Sequence, residues 1–443
     1  MRIAPMRIGM VAMSGIRVCD ENLLELGLTL PGFVERSKAI ASLPSLGLLT
    51  LAGMTPRQHD VQYIEFDDFA DTPTIDTNFD LVAISSLTAQ ALDAYALADR
   101  FRAAGTKVVF GGLHATCCPD EAAQHADAVI IGEGEPVWNE ILRDADRDQL
   151  QPVYDARSQP YNFNHSPMPA YHLLDINKYN RITIQTSRGC PYQCEFCASS
   201  ILLSPKYKQK PISRVLAEVD RVCTLWPRPF IEFADDNGFV NRPYWKRLLP
   251  ELAKRNIRWF TETDISIAQD PELLALLRAA GCAEVLIGLE SPTKQGLPGL
   301  ELLSDFKQLQ GPTNLDAVRT IQSFGVRVNG CFILGLDGQT PDVFEHVYDF
   351  AMDSGLYDVQ ITYATPFPGT PFYERLKRTG RLTHDGDWRR CTLFDLNFIP
   401  DQMTPEQLTQ GFYDLTKRLY SDECTQIRRS RFLSTYRERR RIA

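Results

Sequence analysis

Three cysteines fall within one short run, Ser187-Arg188-Gly189-Cys190-Pro191-Tyr192-Gln193-Cys194-Glu195-Phe196-Cys197. Gaps of three and then two residues let three thiolates wrap a single metal centre. A structural zinc ion asks for four protein ligands, and no fourth Cys or His lies nearby in the chain. A 4Fe-4S cluster held by three Cys leaves one iron open to a small ligand, and an open iron is a reactive one. On spacing alone, zinc and three buried thiols remain competing readings. No convincing general-base constellation stands out elsewhere, which suits chemistry carried by a cofactor rather than by a side chain.

Such a loop needs a scaffold. Six β-rich runs, Ile182 to Gly189, Phe230 to Asn237, Arg258 to Asp264, Glu284 to Ser291, Arg327 to Leu336 and Asp358 to Pro366, are each trailed by a helical or long loop segment. Six units are too few to close an eight-stranded barrel, so the pattern predicts a partial (β/α)6 barrel over residues 181–385 with its active site at the strand C-termini. The cysteine run follows the first of these strands. In that setting it resembles the signature of the radical S-adenosylmethionine (SAM) superfamily, and further segments match in order. Ile231-Glu232-Phe233-Ala234-Asp235-Asp236-Asn237 resembles the segment that binds the SAM amino group. Ile287-Gly288-Leu289-Glu290-Ser291 resembles the ribose and carboxylate contacts, and Cys331 to Gly338 the adenine motif. Thr365 to Pro371 is similar to the segment that follows the sixth strand. The resemblance implies that Cys190, Cys194 and Cys197 hold a 4Fe-4S cluster. It also implies that Phe196, Glu232, Asp235, Asp236, Asn237, Glu290, Ser291 and Gly335 contact SAM.

From residue 7 to about 145, unalternating apolar runs (Arg7 to Met13, Val61 to Phe66, Leu81 to Ser86, Lys107 to Gly112, Ala128 to Glu135) alternate with amphipathic stretches. They predict a doubly wound, Rossmann-like α/β domain over residues 1–145 with a parallel sheet covered on both faces. The clearest helix runs from about Thr88 to Ala104 and is stopped by Gly105. Ligands in such a sheet sit beyond the strand C-termini. Pro44-Ser45-Leu46-Gly47-Leu48, Gly111-Gly112-Leu113-His114-Ala115-Thr116 and the run from Ala126 to Glu135 resemble the cobalamin-binding domain of cobalamin-dependent radical SAM enzymes. Ser45, Leu46, Ser85, Ser86, Gly111, Gly112, His114, Gly132 and Glu133 are the cobalamin-facing residues this implies. The Asp-x-His-x-x-Gly signature of many cobalamin proteins is absent, since none of the seven His has Asp two positions before it. Proline-rich residues 146–180 read as an ordered linker, and residues 386–443 as a helical extension ending in a basic tail.

The resemblance implies a 5′-deoxyadenosyl radical generated at the cluster and a methyl group delivered from cobalamin to an unactivated carbon of a small metabolite or natural-product intermediate. Tyr363 and Thr365, after the sixth strand, are the expected substrate contacts, and Glu262 and Asp264 are further carboxylates at a strand end. A flavodoxin or ferredoxin is the expected electron donor. Competing readings are cyclisation, rearrangement or aminocarboxypropyl transfer without methylation. A transfer-RNA methylthiotransferase is disfavoured because Cys19, Cys117 and Cys118 make a poor second cluster set. Composition agrees with a folded enzyme: 443 residues, 44% hydrophobic, 23% charged, net charge −9. The segment from Arg428 to Arg441 carries seven Arg against one Glu, so the body is more acidic still and unsuited to wrapping nucleic acid. The tail reads as a solvated helix end, with anionic lipid or RNA as the competing partners. Eleven Cys in a chain too long to need staples suit a reducing compartment, so the cytoplasm is the expected location.

Overall fold

The computed structural model describes the chain except residues 1–4, 14, 16–17, 26–42, 67–74, 160, 311–313 and 443. Six parallel strands, β1 (Arg7–Met13), β2 (Asp60–Phe66), β3 (Leu81–Ser85), β4 (Lys107–Gly111), β5 (Ala128–Ile131) and β6 (Val153–Asp155), form the first sheet in the order β2-β1-β3-β4-β5-β6. Leu81 to Ile84, Val108 to Phe110 and Ala128 to Ile131 are buried without alternation, as strands covered on both faces require. The strand order reverses between β1 and β3, which opens a crevice at their C-terminal ends. Ala91–Ala103 is the helix expected there: Ala91, Ala94, Tyr95, Ala98 and Phe101 form its buried face. Strand β6 lies in the segment read as linker. It is a three-residue edge strand in which only Tyr154 is buried, too short to give a periodic signal.

The second sheet holds β7 (Ile182–Ile184), β10 (Phe230–Gly238), β11 (Arg258–Thr263), β12 (Cys282–Glu290), β13 (Arg327–Leu334) and β14 (Asp358–Tyr363). Each pairs in parallel with the next and the ends do not meet, giving the open barrel that six units imply. A two-residue antiparallel pair, β8 (Ser187–Arg188) and β9 (Lys208–Gln209), ties down both ends of the cysteine loop. Behind the sheet, Trp259 packs against Phe233, Phe239 and Trp245, and its indole N–H donates to the Ala280 carbonyl at 2.7 Å.

Helices Pro405–Leu419 and Asp422–Ile442 close the chain, and no small β-barrel of the kind a methylthiotransferase carries occurs there among the described residues. The tail is only partly the solvated helix end expected from its charge. Arg428 is 1% exposed, donating to the carbonyls of Leu356 at 3.1 Å and Leu419 at 3.0 Å, and Arg429 pairs with Asp358 at 2.8 Å. These guanidinium groups satisfy backbone carbonyls that would otherwise be orphaned beneath the barrel. Arg437, Arg439, Arg440 and Arg441 are exposed. Among the described residues no helix is long and apolar enough to cross a membrane.

Truncating Trp259 to Ala removes a fully buried indole and strands the Ala280 carbonyl. Chemical denaturation of the variant should show a loss of about 3–5 kcal/mol; a loss under about 1 kcal/mol would mean that this aromatic layer does not carry the barrel.

Candidate functional site

The cysteine loop leaves the C-terminal end of β7 and turns at Gly189, whose φ is +83°. A Cβ there would lie 2.7 Å from the Ser204 carbonyl oxygen, so the turn accepts only glycine. The Gly189 N–H donates to Asp236 Oδ2 at 2.7 Å. Farther along, the Glu195 N–H donates to the Leu300 carbonyl at 2.8 Å. Cys190, Cys194 and Cys197 are free thiols that line a cavity of about 320 Å³ at the strand C-termini of the barrel. Their Sγ atoms do not all lie within 4.8 Å of one another, a wider setting than the four ligands of one tetrahedral zinc ion require. Three thiols on a pinned loop facing an open cavity therefore fit a cluster larger than a single ion. Burial pushes all three thiols up. At Cys194 the ammonium of Lys307 works against that shift and favours the thiolate.

Phe196, Asp236, Asn237, Glu290, Tyr363 and Thr365 line the same cavity. Asn237 donates to Asp264 Oδ2 at 3.0 Å and its amide nitrogen lies 3.9 Å from Cys190 Sγ. Glu290 adopts a left-handed conformation, φ +59°, and forms an ion pair with Lys307, which also donates to the Gly288 carbonyl at 3.1 Å. Burial opposes the Lys307 charge, but Glu290 and Cys194 more than offset it and hold its pKa above the ordinary lysine range. Glu262 is exposed to the interior of the cavity but ringed by protein; the desolvation this brings, and then Glu232 and Asp236, push its pKa up to about 8.

A second cavity, also of about 320 Å³, lies between the C-terminal ends of the first sheet and the cysteine loop. Leu46, Ser85, Gly111, Gly112, Gly132 and Glu133 line it, as do Gly47 and Gly134. At Gly112, φ +97°, a Cβ would lie 2.7 Å from Ser85 Oγ, and one at Gly134 would press on Leu51 at 3.4 Å. A wall of bare backbone and short aliphatic side chains makes a flat cradle that fits the planar, largely apolar parts of a cobalamin. Asp236 lines both cavities. Across the boundary, Arg188 donates to Glu133 at 3.0 Å and to Glu135 at 2.6 Å, and Lys208 pairs with Glu133. Burial opposes the Arg188 charge, but Glu135 and Glu133 outweigh it and raise its pKa.

Seven residues expected at these sites are turned elsewhere. Glu232 is engaged by Arg181 at 2.5 Å below the cavity. Asp235 accepts the Thr186 N–H at 2.7 Å and the Ser187 N–H at 3.0 Å, so it fastens the loop base; burial lifts its pKa to about 6. Ser291 is fully buried with an unpartnered hydroxyl, and Gly335, φ +88°, is packed against Leu408 and Phe398. Ser45 caps helix Leu46–Met54, and Ser86 is buried behind the crevice. His114 is fully buried on Tyr95, with Nε2 2.9 Å from the tyrosine oxygen, and does not line the glycine-walled crevice. Burial lowers its pKa to about 4. Two functional residues went unread in sequence. Arg188 stands directly before Gly189-Cys190, a signal that a charge sits at the loop mouth, whereas Lys307 lies on the five-residue helix Phe306–Gln310, too short to give a periodic signal.

Three family models match the chain: the B12 binding domain over residues 37–142, the Radical SAM superfamily over residues 184–351, and a domain of unknown function (DUF4070) over residues 370–442. Bacteriochlorophyllide d C-12(1)-methyltransferase of Chlorobaculum tepidum is 30% identical over 386 residues, covering 86% of this chain and 83% of that one. Hopanoid C-2 methylase of Rhodopseudomonas palustris is 31% identical over 355 residues, covering 78% and 66%. Among solved structures, the radical SAM methyltransferase TsrM from Kitasatospora setae, with cobalamin and a [4Fe-4S] cluster bound, shares the fold at a TM-score of 0.66 and 15% identity, covering 99% of this chain and 100% of that one.

Removing the Arg188 guanidinium leaves two buried carboxylates with Lys208 alone. Arg188→Met should cost about 3–5 kcal/mol in denaturant unfolding and release cobalamin on gel filtration; full retention of both would show the pair to be dispensable. Because the Glu262 pKa is raised in the folded chain, that residue's contribution favours the cofactor-free fold at low pH, and stability declines as pH rises from about 4.5 through about 8. Glu262→Gln should flatten that arm of the stability profile, whereas an unaltered slope would mean that the carboxyl titrates as if in water.

Proposed function

The chain belongs to the cobalamin-dependent radical SAM methyltransferases, enzymes that use a 4Fe-4S cluster, SAM and cobalamin, and from that premise we propose how its own residues divide the work. Cys190, Cys194 and Cys197 hold the cluster, and the glycine-lined crevice of the first sheet holds cobalamin. Bound there, the cluster and SAM supply removal of a hydrogen atom from carbon, and cobalamin supplies a methyl group.

The observation that carries this reading is the shared wall at Asp236. One carboxylate fixes the Gly189 amide and the Ser199 hydroxyl, and so sets the cysteine loop against the crevice of the other sheet. Asn237 and Asp264 orient polar ligand atoms beside Cys190, and Lys307 offsets thiolate charge beside Cys194. Phe196, Ile333, Phe367 and Leu393 give the barrel cavity apolar walls, and Tyr363 and Thr365 stand at its edge. The substrate is accordingly a small molecule with an apolar body, methylated at an unactivated carbon and held with the reacting carbon within a few ångströms of both cofactors. A flavodoxin or ferredoxin supplies single electrons, and eleven cysteines without a disulfide support a reducing setting such as the cytoplasm.

Cys194→Ala should lower iron from about four per chain and abolish SAM cleavage and methylation to background, while cobalamin content stays unchanged. Metal analysis with deoxyadenosine and product mass measurements checks this. Normal iron content in the variant, or SAM cleavage that survives it, would remove Cys194 from the cluster.

A further inference from the structure

His114, Cys118 and Glu121 take no part in either cavity. His114 lies on helix Leu113–Cys117 and Glu121 on helix Pro119–Ala122, and Cys118 stands at the non-helical break between them, φ −126° and ψ 57°. A ring nitrogen of His114, the Cys118 Sγ and a Glu121 carboxylate oxygen all lie within 4.8 Å of one another. Zinc–ligand bonds of ~2.0–2.3 Å in a tetrahedron set ligand atoms roughly 3.3–3.8 Å apart. Small side-chain rotations bring this trio onto one ion.

The surroundings resemble the outer shell that orients metal ligands. Tyr95 Oη lies 2.9 Å from His114 Nε2, and Tyr95 is stacked on His125, which pairs with Asp99. The Trp388 indole N–H donates to both Glu121 oxygens, at 2.9 and 3.1 Å, and the Trp388 ring meets His114 edge-on. His114 is fully buried, yet its Nδ1 has no hydrogen-bond partner, an omission that folded chains rarely tolerate without a ligand. Burial, and then Glu121 and Cys117, push the Cys118 thiol up to about 12, with Lys377 offsetting only part of that negative field. A set containing thiolate and imidazole selects against magnesium and calcium and for a borderline-soft divalent ion.

We infer that His114, Cys118 and Glu121 bind one zinc ion, and that Cys391 turns in as the fourth ligand. Cys391 lies outside the 4.8 Å set but near enough for Cys118 to act on its thiol. Cys391 is a buried thiol in the same apolar cluster as Tyr95 and Trp388, and Cys118 packs against that cluster. It follows the short helix Trp388–Arg390, beyond the barrel. The ion therefore staples the carboxyl-terminal segment to the domain of the first sheet, and it stands apart from the three cysteines of the catalytic loop.

The holoenzyme, purified without oxygen from zinc-supplemented cells, should contain one zinc per chain beside its iron and cobalt. Cys118→Ser and Glu121→Gln should each lose that zinc with iron and cobalt unchanged, and Cys194→Ala should lose iron and keep the zinc. A second readout uses the full chain carrying Cys190→Ala, Cys194→Ala and Cys197→Ala, titrated with cobalt(II). A thiolate-to-metal charge-transfer band should saturate at one equivalent, vanish on adding Cys118→Ser and weaken on adding Cys391→Ala. Two results would overturn the site: no zinc in the holoenzyme with no band in the triple variant, or zinc that survives Cys118→Ser and leaves with the loop cysteines. A band untouched by Cys391→Ala would remove the fourth ligand.

Discussion

Arg188 stands two residues before the first loop cysteine, and its guanidinium is gripped by two carboxylates from the other sheet, Glu133 at 3.0 Å and Glu135 at 2.6 Å. Lys208, on the strand that pairs with Arg188, closes the set on Glu133. Two cations thus meet two anions, all largely buried, and Phe163 from the segment between the sheets covers the guanidinium at 4.9 Å. Desolvating four charges is costly, and such a network holds only when every member is present. Its value here lies in geometry more than in stability. The first sheet joins the barrel through one aperiodic segment, fastened by Ala170 to Leu49 and by Tyr171 to Thr183, and chemistry at carbon demands positions correct to about an ångström. A compensated, two-pronged ion pair supplies a register that apolar packing alone would leave loose.

Consecutive acidic residues then carry that register into the loop. The pairing of β10 with β11 shifts between Phe233 and Gly238. This break in the ladder lets neighbouring residues depart from strict strand alternation. Asp235 takes the amides of Thr186 and Ser187, and Asp236 takes the amide of Gly189. Charge-assisted bonds from backbone N–H groups are strong for their size, so four residues before the first cysteine the backbone has little freedom left. The same sequence run that resembles a ligand-binding segment thus spends much of its acidity on holding protein, and only Asp236 and Asn237 reach the cavity.

This explains how far the chain could be read without coordinates. Parallel sheets bury both faces, so their strands are continuous apolar runs, and both sheets were legible for that reason. Loops at strand C-termini were legible as ligand-facing because the topology leaves the ligand nowhere else to sit; Leu46, Ser85, Gly111, Gly112, Gly132 and Glu133 all line the crevice. Orientation within a loop was not. Ser85 faces the crevice and Ser86 is buried behind it, a difference of one peptide that spacing cannot encode. His114 follows the glycine turn as a ligand would, but the helix beginning at Leu113 carries its ring inward onto Tyr95. Strand β6 escaped notice because three residues give no period.

Lys307 shows what a helix too short for a periodic signal can contribute. After β12 the short helix Phe306–Gln310 sets one ammonium between Glu290 and the Cys194 side of the cavity. Without it, Glu262, Asp236, Asp264 and Glu290 would crowd a space already lined by three thiols, and each ionisation would raise the cost of the next. The left-handed backbone of Glu290 is sustained by that pairing: a strained conformation at a non-glycine residue persists where surrounding bonds over-determine it. The cavity stays acidic on balance even so. That field suits a ligand with cationic groups, as SAM is at its sulfonium and its amine, and it disfavours anionic competitors. Charge therefore selects what enters the barrel, and the Arg188 network selects how the barrel faces its neighbour.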